Sequence, residues 1–168
     1  MFSSIKAATL AMIVVAAGKA LAESHTVTFE NNCGFGTPTL IRQGSVIVGQ
    51  GDVILSTGDP YTSDGPLTGA IAYLQTGSCG LNGENCTTVE TTLVNPTSPG
   101  TGSISDITLV PPHAFSVPTG FGYLGACSGA GADCTSANCD TAFRFPTDHS
   151  EAVACEADDA DLVILFCS

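Results

Sequence analysis

Glu90 and Asp106 are the residues whose type and spacing could do chemistry. Each sits in a run of alternating apolar and polar residues, Val89, Thr91 and Leu93 around Glu90, and Ile107 and Leu109 beside Asp106. That period of two marks half-buried strands. The intervening residues 95–102, NPTSPGTG, cannot continue a central strand and favour a loop, so a hairpin is predicted. A register that puts Val89 opposite Ile107 makes Glu90 and Asp106 project from one face, because successive side chains alternate. Two carboxylates on one surface are the minimum for glycoside hydrolysis, one protonated and one ionised, at about 5 to 9.5 Å depending on mechanism. A cysteine loop, CGLNGENC at residues 79–86, leads into the first of these strands.

The elements that must position the pair are short. Residues 25–29, 46–48, 53–55 and 70–74 are β-branched or aliphatic runs separated by turn formers, and none has the period of a helix. An all-β sandwich follows. Residues 115–124, FSVPTGFGYL, are broken by proline and glycines and read as an edge strand or irregular segment carrying core aromatics. Residues 127–139 are small and polar and read as a loop shaped only by cross-links. Residues 161–167, DLVILFC, read as a central strand buried on both faces. The acidic run at 156–161 lacks the glycine and spacing of a calcium loop and reads as a solvated turn.

The first 22 residues combine Lys6, an apolar run and Ala20-Leu21-Ala22, the marks of a secretion signal that is removed. The run is shorter than the roughly 20 apolar residues of a membrane anchor. Residues 23–168 then form one domain. Cleavage after Ser24 is also compatible, and would make His25 the first residue; with His113 or His149 it could then brace a copper ion. No cofactor or metal is otherwise expected. Beyond the signal only Arg42 and Arg144 stand against 16 carboxylates. Such a charge repels nucleic acid and anionic membranes and leaves neutral polysaccharides as acceptable partners. All eight cysteines lie in the exported part and read as four disulfides; their spacings are not those of common zinc sites, and the pairing stays open among 105 connectivities. Asn85-Cys86-Thr87 is an N-glycosylation sequon, whereas Asn95-Pro96-Thr97 is excluded by its proline. Threonines and serines within residues 95–103 could carry O-linked sugars.

Five stretches, in order, resemble the thaumatin-like proteins: TFENNC, TGSCGLNGENC, SDITLVPPHAFSVP, CDTAFRFPTD and the terminal LVILFC. The closest likeness is to the short thaumatin-like glycopeptides secreted by mushroom-forming fungi. The resemblance implies a disulfide-stapled β-sandwich with the family's second domain reduced to the short loop between Cys134 and Cys139. It also implies the pairs Cys33–Cys167, Cys79–Cys86, Cys127–Cys155 and Cys134–Cys139. Of the residues lining the family's acidic cleft, Glu90, Asp106 and Asp148 are matched. The cleft arginine falls in the shortened 86–88 region, and a further aspartate is replaced by Ser103.

The function implied is binding of fungal or plant cell-wall glycan, β-1,3-glucan, through a reduced acidic cleft, with weak endo-β-1,3-glucanase activity at most. In that reaction Glu90 would be the acid, Asp106 its partner, and Asp148 would hold charge or a sugar hydroxyl. The alternative is a non-enzymatic secreted glycoprotein, defensive or immunomodulatory, acting on a cell-surface receptor.

Overall fold

A computed structural model describes residues 22–42, 53–148 and 150–168, with residues 53–56 as backbone course alone. The signal segment through residue 21, the strand expected at 46–48 and His149 lie outside the described residues. Two sheets face each other. The first runs β4 (Tyr61–Asp64), β1 (Ser24–Asn31), β12 (Asp161–Phe166), β8 (Thr119–Leu124), β9 (Gly131–Cys134). The second runs β10 (Ala142–Phe143), β7 (Ser103–Thr108), β6 (Thr88–Leu93), β5 (Leu67–Gln75), β2 (Thr37–Arg42), β3 (Val53–Ser56), with β11 (Val153–Cys155) also paired to β7.

The core lies between the sheets because each strand turns alternate residues inward. Leu162, Ile164 and Phe166 of β12 are fully buried, and face Leu40, Ala72, Val89 and Ile107 within one apolar cluster. Burying each such large side chain contributes about 1.5–3 kcal/mol. The expected central strand is β12, parallel to β1 and antiparallel to β8. Its other face is only half-buried, so it does not lie between two packed layers as its unbroken apolar run suggests. Nor is β8 an edge: it pairs with both β12 and β9. Gly120 and Gly122 weaken its propensity, but they lie on the face away from the core, Gly120 covered by Asp133, while Phe121 and Tyr123 supply the core side chains. The stretch 127–139 is likewise more than a loop, since β9 falls within it.

Disulfides join Cys33–Cys167, Cys79–Cys86, Cys127–Cys155 and Cys134–Cys139, the same pairs that the resemblance implies. The first clamps the ends of β1 and β12. The start of β1 is held electrostatically. Asn95 donates its backbone N–H to Glu23 Oε1 at 2.7 Å, and Ser24 donates its own to Asp159 Oδ1 at 3.1 Å. Those backbone bonds first, then His25 for Glu23 and the Asn95 side chain for Asp159, hold both carboxyls below their ordinary values. Carboxyls depressed on folding stabilise above their unfolded values of 4.5 and 3.8 and lose that contribution as pH falls. Intrinsic-rate-corrected amide exchange at residues 24–26 is therefore expected to quicken between about pH 5 and 3 while β6 stays protected; equal behaviour of both would refute this hold on the start of β1.

Candidate functional site

The hairpin of β6 and β7 has Val89 opposite Ile107 and Glu90 opposite Asp106. Val89 and Ile107 enter the core, so the two carboxylates project together from the other face. Across the sheet they continue a single row, Ile41, Ile71, Glu90, Asp106. Its apolar half belongs to a second small cluster of Ile41, Ile71, Tyr73 and Cys86, with Cys79 against it. The cysteine loop ahead of β6 thus roofs one end of the row, and Tyr73 ties it down by donating its hydroxyl to Leu81 O at 2.9 Å.

A hollow of about 200 Å³ opens beside the pair, lined by Gly69, Ala70, Ile71, Glu90, Thr91, Thr92, Ile104 and Asp106. Sequence reasoning missed what makes it. The register of β5 on β6 shifts between Leu67 and Ala70, a bulge that bends the strand away from its partner. Gly69 sits there with φ +60°, and its N–H is satisfied by Thr92 Oγ1 at 3.1 Å. Ile104, 46% exposed, gives the hollow an apolar wall. Only the glycine within an apolar run hinted at the bulge.

Asp106 dominates the electrostatics. Burial, and then the neighbouring Glu90, pushes its carboxyl up to about 7 from 3.8. Its Oδ2 is buried and has no hydrogen-bond partner. On the outer side of β7, β11 pairs at Ser105 and β10 at Ile107. The backbone of Asp106 lies at the interruption between the two. Neither arginine acts on it, since Glu90 is the charge that does. Asp106 is therefore a member of the pair whose carboxyl is raised, whereas the resemblance gives the acid role to Glu90. Repulsion by Glu90 is secondary to burial.

Asp148 does not line the hollow. Its Oδ2 accepts the backbone N–H groups of Arg144 at 2.7 Å and Phe145 at 2.9 Å, so its carboxylate shapes the turn after β10, and the acidic floor has two members instead of three. Ser103 faces the core side, exchanging hydrogen bonds with Val94 N and O at 3.0 and 3.2 Å. Where the resemblance expects an arginine, buried Thr87 donates to Val117 O at 3.0 Å and accepts from Ser116 N. His25, the first ligand of the expected copper brace, is fully buried, with Nδ1 on Ala160 O at 2.8 Å and Nε2 on Glu23 Oε1 at 3.1 Å. His113 Nδ1 lies against Gly83 O and Thr88 Oγ1. Among the described residues no cluster of three or more His, Cys, Asp or Glu could hold a metal. Asn85 is exposed at φ +63°, while Thr87 of its sequon is fully buried.

No family model matches the chain, and no curated protein matches it in sequence. Solved structures do match in shape. A thaumatin-like xylanase inhibitor superposes with a TM-score of 0.51 at 21% identity, over 86% of this chain and 99% of the other. The fold is thaumatin-like. The protein elicitor MoHrip2 from Magnaporthe oryzae gives 0.50 at 14% identity, over 88% of this chain and all of its own. In this thaumatin-like sandwich the seven-stranded sheet presents the acid pair on the face away from the core, and the Cys134–Cys139 loop spans 5 residues of separation.

Proposed function

We propose that this is a secreted, defence-related thaumatin-like glycoprotein, akin to those of mushroom-forming fungi, that binds neutral cell-wall glycan, β-1,3-glucan first, in the hollow beside Glu90 and Asp106. The observation that carries the reading is Asp106, a secluded carboxyl with an unpartnered Oδ2, facing Glu90 and an apolar wall. A sugar ring offers hydroxyls to the first and C–H faces to the second. A hollow of about 200 Å³ is below the roughly 300 Å³ of ordinary ligand pockets, so it suits one ring of a chain. Directly opposed residues hold their Cβ atoms about 5 Å apart, so both carboxyls reach one ring. If any bond is cut, Asp106 would be the acid and Glu90 its ionised partner. Turnover stays weak, because one ring binds too little substrate to distort it. Removal of residues 1–22 and a glycan on Asn85 belong to the same reading.

The test is retention of the mature protein on insoluble β-1,3-glucan beside chitin and cellulose, with released sugar assayed in the same tube. Selective retention on β-1,3-glucan is expected, and Glu90→Gln should abolish any sugar release while leaving the melting temperature within about 2 °C, as for a surface change. Sugar release surviving that change would move the chemistry elsewhere.

A second reading follows from the neighbours' names, one an inhibitor of a xylanase and the other an elicitor. Under it the rigid, acidic sandwich acts on a protein or cell-surface receptor without catalysis. Retention on none of the three polymers favours it.

A further inference from the structure

Behind the acid pair, on the core side of the same strands, runs a chain of hydroxyls. Thr91 Oγ1 and Ser105 Oγ lie 2.7 Å apart, Ser105 Oγ and Tyr123 Oη 2.9 Å, and Tyr123 donates to Val153 O at 3.1 Å. All three side chains are buried, at 4%, 0% and 2% exposure. Burial first, and Asp106 after the opposing Ser105 hydrogen bond, pushes the Tyr123 phenol up to about 12, so it remains a hydroxyl donor throughout the working range. One phenol of β8 thereby fastens β7 of the opposite sheet and β11 at its edge. The Val153 it holds pairs with Ser105, the residue before Asp106, and marks where residues 144–152 rejoin the sheet.

We propose that Tyr123 is a positioning residue for the acid pair: its hydroxyl pins the start of β11 to β7 beside Asp106, and so fixes how far water reaches that carboxyl. Removing the hydroxyl leaves Val153 O and Ser105 Oγ each short of a partner in the interior, so the start of β11 is held by its pairing with β7 while only its far end is anchored through Cys127–Cys155. Thr91 and Ser105 locate the phenol, and act on Asp106 only through it. The inference rests on the glycan reading only for what Asp106 does once positioned.

The experiment is a carbon-13 carboxyl titration of Asp106 in the wild type, Tyr123→Phe and Ser105→Ala, with melting temperatures alongside. The midpoint should fall by about one pH unit in Tyr123→Phe, a tenfold loss of proton affinity, and by less in Ser105→Ala, which keeps the Tyr123–Val153 bond. Should Tyr123→Phe not fold, Ser105→Ala decides alone. A folded variant that melts earlier yet keeps the wild-type midpoint would show the chain to be structural only and overturn the proposal. Glucan retention is measured separately on the wild type. Its absence removes the glycan reading and leaves the titration result standing, whereas an unmoved midpoint removes the role of Tyr123 and leaves the glycan reading intact.

Discussion

Asp106→Asn should be more stable than the wild type at pH 8 by ~2 kcal/mol and indistinguishable from it near pH 4. The sign follows from the direction of the shift. Folding raises this carboxyl from 3.8 to about 7, so the folded state holds a proton that the unfolded state has released across that interval. Stability contributed by the neutral acid is complete below the unfolded value and is lost as pH rises through the folded one. At full value the shift corresponds to about 4 kcal/mol; the water that still reaches the half-buried group halves this to ~2 kcal/mol. Asparagine has the same shape and never ionises, so the penalty at high pH disappears, an increase in melting temperature of about 4–8 °C. Glu23 and Asp159, depressed on folding, act in the opposite sense and add stability as they charge. The measured quantity is therefore the difference between the two proteins as a function of pH, by thermal or urea unfolding. Parallel curves would show that Asp106 is solvated in both states.

The second large effect is covalent. Cys33–Cys167 closes a loop of 134 residues of separation and Cys134–Cys139 one of 5. In the chain-entropy account the first restrains the unfolded chain by about 5 kcal/mol and the second by about 2 kcal/mol. Position adds to length. The long bridge follows β1 and β12, the parallel pair at the middle of its sheet, whereas the short one ties a surface turn to the edge strand β9. Cys33→Ala with Cys167→Ala should therefore lose most of the protein's reserve, since a domain of this kind holds about 5–15 kcal/mol in total. Cys134→Ala with Cys139→Ala should fold and melt only somewhat earlier. Equal melting temperatures for the two double variants would contradict the ranking.

The acid pair was legible in sequence because it depends on one local rule. A period of two on either side of an eight-residue turn region fixes which side chains share a face, and Glu90 opposite Asp106 follows from Val89 opposite Ile107. The state of that pair was not legible. Asp106 is secluded beside a gap whose two sides, Phe143 and Val153, come from sequence far downstream, and no local pattern says where they will dock. Asp148 has a local use that the motif match did not disclose. A motif match placed it in the cleft, but an aspartate three and four residues after free backbone N–H groups also closes a turn, and that local use won. β8 and β9 were misjudged from composition, since glycines weaken a strand on average, but β8 is paired on both sides and β9 is held to it by pairing and by the Cys134–Cys139 bridge. The hydroxyl chain was hidden because Ser105 reads as an ordinary polar residue until its strand is known to turn it inward.

Under the proposed function a glucan ring occupies the hollow between the β5 bulge and the acid pair. The most direct test of this occupancy is a nitrogen-15 amide titration of the mature protein with a soluble β-1,3-gluco-oligosaccharide at about pH 5, where Asp106 holds its proton. The shifts are expected to gather on Gly69, Ala70, Ile71, Glu90, Thr91, Thr92, Ile104 and Asp106, and to vanish in Glu90→Gln with Asp106→Ala. Shifts gathered on the outer face of the five-stranded sheet, or none at millimolar sugar, would contradict it.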